Sequence, residues 1–191
     1  MEAPLRVATV GHSTRTLDAF LELLRAQGVT CLVDVRVAPG SRRHPHFARE
    51  ALARALEASG IRYLHIKDLG GWRRPRPDSP HIGWRSEGFR GYADHMETPA
   101  FGRALDEVIA LAASETVALM CAEAAPWRCH RQLIADALVA RGVEVMHLLG
   151  PDQVRRHALT SFARLEGTRV IYDRHLGTAA GRGTPRNPRP R

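Results

Sequence analysis

Short apolar segments alternate along the chain with amphipathic segments in which apolar residues recur every three to four positions. The predicted strands are Leu5–Val10, Thr30–Val35, Ile61–Ile66, Thr116–Met120 and Val143–Leu148. The predicted helices are Thr16–Gln27, Phe47–Ser59, Pro99–Ala113 and Arg131–Arg141. Strands that alternate with helices form parallel βαβ units with right-handed crossovers. The pattern therefore predicts an α/β fold, a three-layer Rossmann-like domain with a mostly parallel five-stranded sheet and helices on both faces.

Two stretches depart from this alternation. Lys67–Gly91 is dense in Gly, Pro, Arg and Trp, and so long an irregular segment is typical of a lid or a binding loop. Pro151 suits the first position of a last helix, which we predict to extend to about Leu165, and Arg169–Tyr172 is predicted as a short edge strand. We expect one domain over residues 1–172 and a disordered, basic tail rich in Gly, Pro and Arg over residues 173–191.

Positive charge dominates the composition. The chain has 28 Lys and Arg residues against 20 Asp and Glu residues, a net charge of +8, and Lys67 is the only lysine. Because guanidinium groups hold phosphate or carboxylate with two hydrogen bonds, we expect an anionic substrate or partner, with nucleic acid as one class. No apolar run reaches the roughly 18 residues of a membrane span. Three cysteines without a secretion signal indicate a reduced, cytoplasmic protein of unspecified oligomeric state.

Polar or reactive segments follow four of the predicted strands. These segments are Gly11–Thr14, Asp34–Arg36 with the loop behind it, Lys67–Trp72 and Cys121–Arg131. The carboxyl ends of parallel strands meet at one edge of a sheet, where ligands of such folds bind. The sequence therefore predicts that these segments converge on one functional site.

The segment Cys121–Arg131, CAEAAPWRCHR, leads from a buried strand into a helix. A helix start offers unpaired N–H groups, and a thiol placed there has a lowered pKa, so Cys121 is a candidate nucleophile. Glu123 is either a general base or an ion-pair member that orders the loop. The candidates for substrate binding here are Arg128, Cys129, His130 and Arg131. The alternative is that both cysteines pack as small apolar residues.

Further candidates follow the first three strands. His12 is a candidate acid or base, and Ser13 either binds phosphate or caps the next helix. Asp34 either contacts the substrate or pins the loop that begins at Arg36. The remaining candidates for substrate binding are Gly11 at a tight turn, Ser41 and Arg42 in an arginine-rich loop, and Trp72 as a platform on which a base stacks.

We predict no cofactor, with a transition metal as the alternative. The side chains of Cys121, Glu123, Cys129, His130 and His12 are of the types that bind zinc or iron. However, the chain lacks a CxxC pair, and two adjacent residues such as Cys129 and His130 rarely chelate one ion.

Five blocks occur in a specific order, namely TVGHSTRTLDAFLELL, LVDVRVAPGSR, IRYLHIKDLGG, FRGYADHM and ALMCAEAAPWRCHRQLIADAL. With their GHS, DVR-x-x-P-x-S, LGG and MCAE…CHR motifs, they resemble the domain-of-unknown-function 488 family over roughly Val7 to Leu148. The resemblance implies a site that contains Gly11, His12, Ser13, Asp34, Arg36, Pro39, Ser41, Cys121, Glu123, Cys129, His130 and Arg131.

A more distant resemblance concerns rhodaneses. Leu32–Arg36 and Val117–Gly142 are similar to two rhodanese segments, of which the second carries persulfide sulfur on a cysteine at the strand end. The loop here is longer and contains Glu123 and Pro126. A carboxylate in an anion-binding loop departs from the rhodanese pattern.

Three functions fit these residues. The first is an enzyme that hydrolyses an anionic nucleotide or nucleic acid, for example in DNA repair or base processing, with acid–base chemistry by Glu123 and His12 and with arginines on the phosphate. The second is a rhodanese-like thiol enzyme with Cys121 as nucleophile. The third is a non-catalytic module that binds nucleic acid or metal.

Overall fold

A computed structural model describes residues 4–173 of the chain. Its helices are α1 (Leu17–Ala26), α2 (Arg49–Ala58), α3 (Glu87–His95), α4 (Pro99–Ala112) and α5 (Arg131–Val139). Its strands are β1 (Arg6–Gly11), β2 (Cys31–Asp34), β3 (Arg62–His65), β4 (Val117–Cys121), β5 (Glu144–Gly150), β6 (Gln153–Arg156), β7 (Arg164–Glu166) and β8 (Arg169–Ile171). Short 3-10 turns cover Pro45–Phe47, Lys67–Leu69 and Pro126–Arg128.

The central sheet has the strand order β3-β2-β4-β1-β5-β6. The first five of these strands pair in parallel, and β6 pairs with β5 in the antiparallel sense. Every residue of β4 is buried, as expected for a parallel strand with neighbours on both sides. The α/β class and the mostly parallel sheet are therefore confirmed, while the sheet has six strands instead of five.

Alternate residues of the strands belong to two separate apolar clusters. Val10, Leu32 and Met120 pack with residues of α1 and α2, such as Phe20 and Leu52. The neighbouring strand positions, including Val33, Leu119 and Val145, pack with residues of α3, α4 and α5. Because side chains alternate across a strand, α1 and α2 cover one face of the sheet and the other three helices cover the opposite face.

The prediction of a last helix from Pro151 to about Leu165 is wrong. The chain instead makes a two-residue turn after Gly150 and returns along β5 as β6. All four side chains of β6, which lies at the edge of the sheet, are exposed. The strand expected at Arg169–Tyr172 is present as β8, but it pairs with β7 in a separate two-stranded sheet.

A buried polar network fixes the segment that follows β6. Asp136 of α5 accepts hydrogen bonds from His157, from Thr160 and from the hydroxyl of Tyr172. His157 also bonds to His147 of β5 at 2.9 Å. Because a buried carboxylate requires such partners, the network holds this part of the chain against α5. The expected tail, residues 173–191, lies outside the described residues apart from Asp173.

The segment Lys67–Gly91, which we expected to be irregular, contains the first turn of α3. The Ser86 hydroxyl accepts a hydrogen bond from the Phe89 N–H and so caps this helix. In the described part of the chain, no helix combines the length and the apolar character that crossing a membrane requires.

Candidate functional site

A cleft of about 1240 Å³ opens at the carboxyl ends of β1, β2 and β4. The chain leaves β1 and β2 toward the face covered by α1 and α2, and it leaves β4 toward the face covered by α5. Adjacent strands whose connections leave to opposite faces create a crevice at that edge of the sheet. The expected convergence of the polar segments is therefore present, and strand order places it where α/β folds bind ligands.

Gly11 allows the loops after β1 and β4 to meet at the bottom of the cleft. A Cβ atom at this position would lie 2.0 Å from the main-chain oxygen of Glu123. The main-chain N–H groups of His12 and Ser13 donate to the carbonyl oxygens of Cys121 and Ala122, both at 3.0 Å. Gly11 is thus required by packing between two main chains, and it does not line the cleft.

Cys121 and Cys129 form a close thiol pair around a buried guanidinium group. Their sulfur atoms lie 3.2 Å apart, and the Nε–H of Arg131 donates to both, at 3.0 Å to Cys121 and 3.2 Å to Cys129. Arg131 is only 1% exposed, so it stands behind the cleft and does not line it. We call these three residues the thiol–arginine cluster.

The two thiols differ in acidity. The hydrogen bond from Cys121, assisted by the charge of Arg131, lowers the pKa of Cys129 to about 6 despite its burial. The same hydrogen bond, together with burial, raises the pKa of Cys121 well above its ordinary value. The two opposite shifts favour ionisation of Cys129 over Cys121. That Cys121 is the activated thiol stays a prediction, and Cys129 becomes a second candidate.

The loop after β4 is organised around Arg131. The guanidinium Nη2 donates to the main-chain oxygens of Glu123 and Ala124. Carbonyl groups of this loop therefore point toward the thiol–arginine cluster. Binding of an anion at the start of α5 stays a prediction.

Asp34 and Arg36 form a buried ion pair that supports the wall of the cleft. The Asp34 carboxylate accepts from the Arg36 main-chain N–H at 3.0 Å, from its Nε at 2.9 Å and from its Nη2 at 2.6 Å. The Tyr63 hydroxyl donates to the same carboxylate at 2.7 Å. With all of these partners, Asp34 holds Arg36 in place and does not line the cleft, whereas Arg36 does.

His12 is a neutral, fully engaged residue. Burial lowers the pKa of His12 to about 4. The Nδ1 atom lies 2.9 Å from the carbonyl oxygen of Ser13 and therefore carries the proton, which leaves Nε2 to accept from Arg36 at 3.4 Å. The ring also stacks on Phe47 at 4.3 Å. His12 thus positions Arg36, and its acid–base role stays a prediction.

His130 closes the side of the cleft next to α3. Its Nε2 donates to the Val35 carbonyl oxygen at 3.0 Å, and its ring packs on Tyr92 at 5.2 Å. Burial lowers the pKa of His130 to about 4, so the ring is neutral. A Cβ atom at position 71 would lie 2.9 Å from the Nδ1 atom of His130, which explains why a glycine, Gly71, stands next to this ring.

The open sides of the cleft are basic. Four arginines line it, namely Arg36, Arg42, Arg43 and Arg128, whereas Glu123 is the one carboxylate among its described lining residues. The Glu123 carboxylate has no hydrogen-bond or ion-pair partner within residues 4–173. Trp72 at the rim is 96% exposed, with a positive φ of 61°. Such a surface suits an anionic ligand that carries a flat ring.

Eleven of the fourteen predicted site residues line this cleft. They are His12, Ser13, Arg36, Ser41, Arg42, Trp72, Cys121, Glu123, Arg128, Cys129 and His130. The other three, Gly11, Asp34 and Arg131, lie directly behind the lining residues. Trp84, a second tryptophan of the Lys67–Gly91 segment, packs against Phe89, Phe162 and Tyr172.

The family described as "Domain of unknown function DUF488" matches residues 16–138. The chain belongs to the DUF488 family. No curated protein and no solved structure shows a significant match.

The predicted site residues of this DUF488 cleft did not include two aromatic residues of a helix. Phe89 and Tyr92 of α3 line the cleft beside His130 and Trp72. The apolar spacing of Phe89, Tyr92, Ala93 and Met96 after the capping Ser86 is typical of a helix. The glycines and prolines upstream of this pattern concealed it.

Another polar cluster in the DUF488 domain lies beside β8. His81, Asp94 and Glu97 place one ligand atom each within 4.8 Å of one another. Arg76 and Arg169 already form ion pairs with these carboxylates. The Tyr172 N–H donates to His81 Nδ1 at 3.3 Å, which leaves the proton on Nε2, facing Glu97 at 3.4 Å. The cluster therefore acts as an ion-pair network that attaches the β7–β8 hairpin.

Proposed function

We propose that this DUF488 domain is an enzyme that binds an anionic nucleotide or a nucleic-acid segment in the basic cleft and hydrolyses it. The observation that carries the proposal is the unpaired carboxylate of Glu123 in a cleft lined by four arginines. The scaffold is of the three-layer, Rossmann-like kind, and its cleft lies at the ligand-binding edge. A DNA base-processing or repair reaction is the class of hydrolysis that we favour.

Each wall of the cleft has a part in this reaction. The guanidinium groups of Arg42, Arg43 and Arg128 neutralise phosphate oxygens, and Arg36 is held toward the same space by Asp34. Trp72 offers an exposed indole face on which a base can stack. Glu123 takes the proton from a water molecule as that water attacks the substrate. His12 holds Arg36 in place, since both of its ring nitrogens are engaged within the protein.

Binding is tested with single-stranded and double-stranded oligonucleotides in a salt series. We expect the logarithm of the association constant to fall linearly with the logarithm of the salt concentration, because each neutralised phosphate releases counterions. Arg42→Gln is expected to reduce the slope by about one unit. Arg103→Gln on the exposed side of α4 is the matched control and keeps the wild-type slope. Binding that is absent, or that does not respond to salt, contradicts a nucleic-acid substrate.

Catalysis is tested with Glu123→Gln, which preserves the shape of the side chain. We expect this variant to bind oligonucleotides at least as tightly as wild type, because it removes a negative charge from the basic cleft. Hydrolysis is expected to fall by about 10²–10⁴-fold, the range for loss of a general base. Glu22→Gln on the exposed surface of α1 serves as the control. Unchanged hydrolysis by Glu123→Gln would exclude the proposed base.

Rhodanese-like sulfur transfer is the second candidate, supported by the thiol pair at the bottom of the cleft. The sequence predicts Cys121 as the nucleophile, and the lowered pKa of Cys129, about 6, supports Cys129 as the alternative. Attack of the thiolate on thiosulfate would leave a persulfide on the protein and release sulfite. Intact mass after incubation with thiosulfate should then increase by one sulfur atom. Native protein that stays unmodified while denatured protein reacts would count against this activity.

A further inference from the structure

Arg131 carries a buried positive charge that no carboxylate balances. It is 1% exposed, and within residues 4–173 no acidic side chain forms an ion pair with it. The nearest groups that can become anionic are the sulfur atoms of Cys121 and Cys129, at 3.0 and 3.2 Å from Nε. A buried charge without a partner is strongly unfavourable, so the cluster is most stable when one of the two thiols is ionised.

The two sulfur atoms are arranged for different tasks. Cys129 is half-buried and reaches the cleft, whereas Cys121 is 3% exposed at the end of the central strand β4. The sulfur atoms are 3.2 Å apart, and a disulfide needs them at about 2 Å, so a shift of about 1 Å joins them. Both residues line the cleft, and because Cys129 is the more exposed of the two, it is the sulfur that an incoming reagent meets first, while Cys121 can displace a group from it.

We propose that Cys129 and Cys121 form a reversible two-electron oxidation site for small hydroperoxides. Cys129 is the attacking thiolate, Cys121 is the resolving thiol, and Arg131 stabilises the negative charge on sulfur. This assignment is independent of the proposed hydrolysis, because it rests on the thiol–arginine cluster and not on Glu123 or on the arginines of the walls.

The reaction balances in two steps. First, the Cys129 thiolate attacks the terminal oxygen of a hydroperoxide; an S–O bond forms, the O–O bond breaks, and the departing alkoxide takes a proton from solvent to become the alcohol. Second, Cys121 gives up its proton and its sulfur attacks Cys129; the S–S bond forms and the S–O bond breaks, with hydroxide leaving as water. Two electrons pass from the thiols to the peroxide, and an external dithiol returns them.

The surroundings of Cys129 favour the first step. The titratable or charged groups around the pair are Arg131 of α5, His130 directly before this helix, Tyr92 of α3 and Glu123 of the loop after β4. His130 is neutral, and the phenol of Tyr92 stays protonated because its complete burial raises its pKa. Arg131 is therefore the main charge acting on the sulfur atoms, and it favours the thiolate.

The sites of oxidation are identified by hydrogen peroxide treatment of the full chain, followed by peptide mass spectrometry. We expect a Cys121–Cys129 disulfide in wild type, which dithiothreitol reverses. Cys121→Ser should accumulate a sulfenic acid on Cys129 that dimedone traps, because the resolving thiol is absent. Cys129→Ser should react at least ten times more slowly. Cys31→Ala is the control and should behave as wild type, since Cys31 is fully buried in the core.

The role of Arg131 is tested by the pH dependence of the oxidation rate. In wild type, the rate should rise with pH around a midpoint of about 6, which is the pKa of Cys129. Arg131→Met should move this midpoint up toward the range of ordinary thiols, with the rate near pH 7 reduced at least tenfold. If that variant does not fold, the wild-type profile alone decides.

Three results would overturn the assignment. They are a disulfide that involves Cys31, a dimedone adduct on Cys121 in the Cys129→Ser variant at the wild-type rate, and a wild-type midpoint at the value of an ordinary thiol. If the cysteine variants lose the oxidation but still hydrolyse oligonucleotides, neither proposed activity is refuted. If Glu123→Gln loses the hydrolysis, the thiol reaction should be unaffected.

Discussion

Substituting Asp34 by Asn should destabilise the whole domain and loosen one wall of the cleft. The carboxylate is fully buried and bonds to three nitrogen atoms of Arg36 and to the hydroxyl of Tyr63. Asn keeps the shape but loses the charge, and its amide presents a donor to groups that are themselves donors. Breaking one side of a buried ion pair costs about 3–5 kcal/mol, because the remaining charge, here the nearly buried Arg36, has no partner.

This cost is measurable by urea denaturation and by thermal unfolding. For a domain of this size, each kcal/mol lowers Tm by about 2–4 °C, so we expect a decrease of about 6–20 °C. Asp18→Asn in the exposed first turn of α1 is the matched control and should cost at most about 1 kcal/mol. The double variant Asp34→Asn, Arg36→Gln should be no less stable than Asp34→Asn alone, because the unpaired charge is gone. This account of the ion pair would be refuted if Asp34→Asn lost no more stability than the control, or if the effects of Asp34→Asn and Arg36→Gln were fully additive.

Two further predictions concern stability. Gly11→Ala should lower the free energy of unfolding by about 1–3 kcal/mol or more, because the new Cβ would lie 2.0 Å from a main-chain oxygen of the loop after β4. The control is Gly102→Ala on α4, where a Cβ meets nothing within 4 Å and the effect should be neutral or slightly stabilising. Equal effects of the two substitutions would contradict the packing argument. The free energy of unfolding should fall as pH drops from about 6.5 to 4. Burial lowers the pKa of His12 and His130 to about 4 and that of His147 to about 3. The unfolded chain therefore binds protons at a higher pH than the folded chain does, and protonation favours unfolding. Each histidine contributes at most about 1.4 kcal/mol per pH unit, and urea curves that coincide at pH 7 and pH 5 would contradict buried neutral rings.

Local patterns predicted most of the secondary structure, and the failures have local causes. The five parallel strands and four of the five helices follow from apolar spacing and from capping residues such as Thr16, which accepts from the Ala19 N–H. The expected helix after Pro151 failed because a proline suits the first turn of a helix and also a tight turn between strands. Here a partner strand, β5, was available, and the fully exposed side chains of β6 had no core to join.

The sequence by itself determined that reactive segments meet at the carboxyl edge of a parallel sheet, and it identified eleven residues that line the resulting cleft. This was possible because strand direction and side-chain type are local properties of the chain. Only the tertiary structure decided that both thiols contact Arg131, that this guanidinium group is buried and that burial lowers the pKa of His12. The location of a proton depends on burial and on charges from distant segments, such as Arg36 beside His12, and no local pattern encodes those distances.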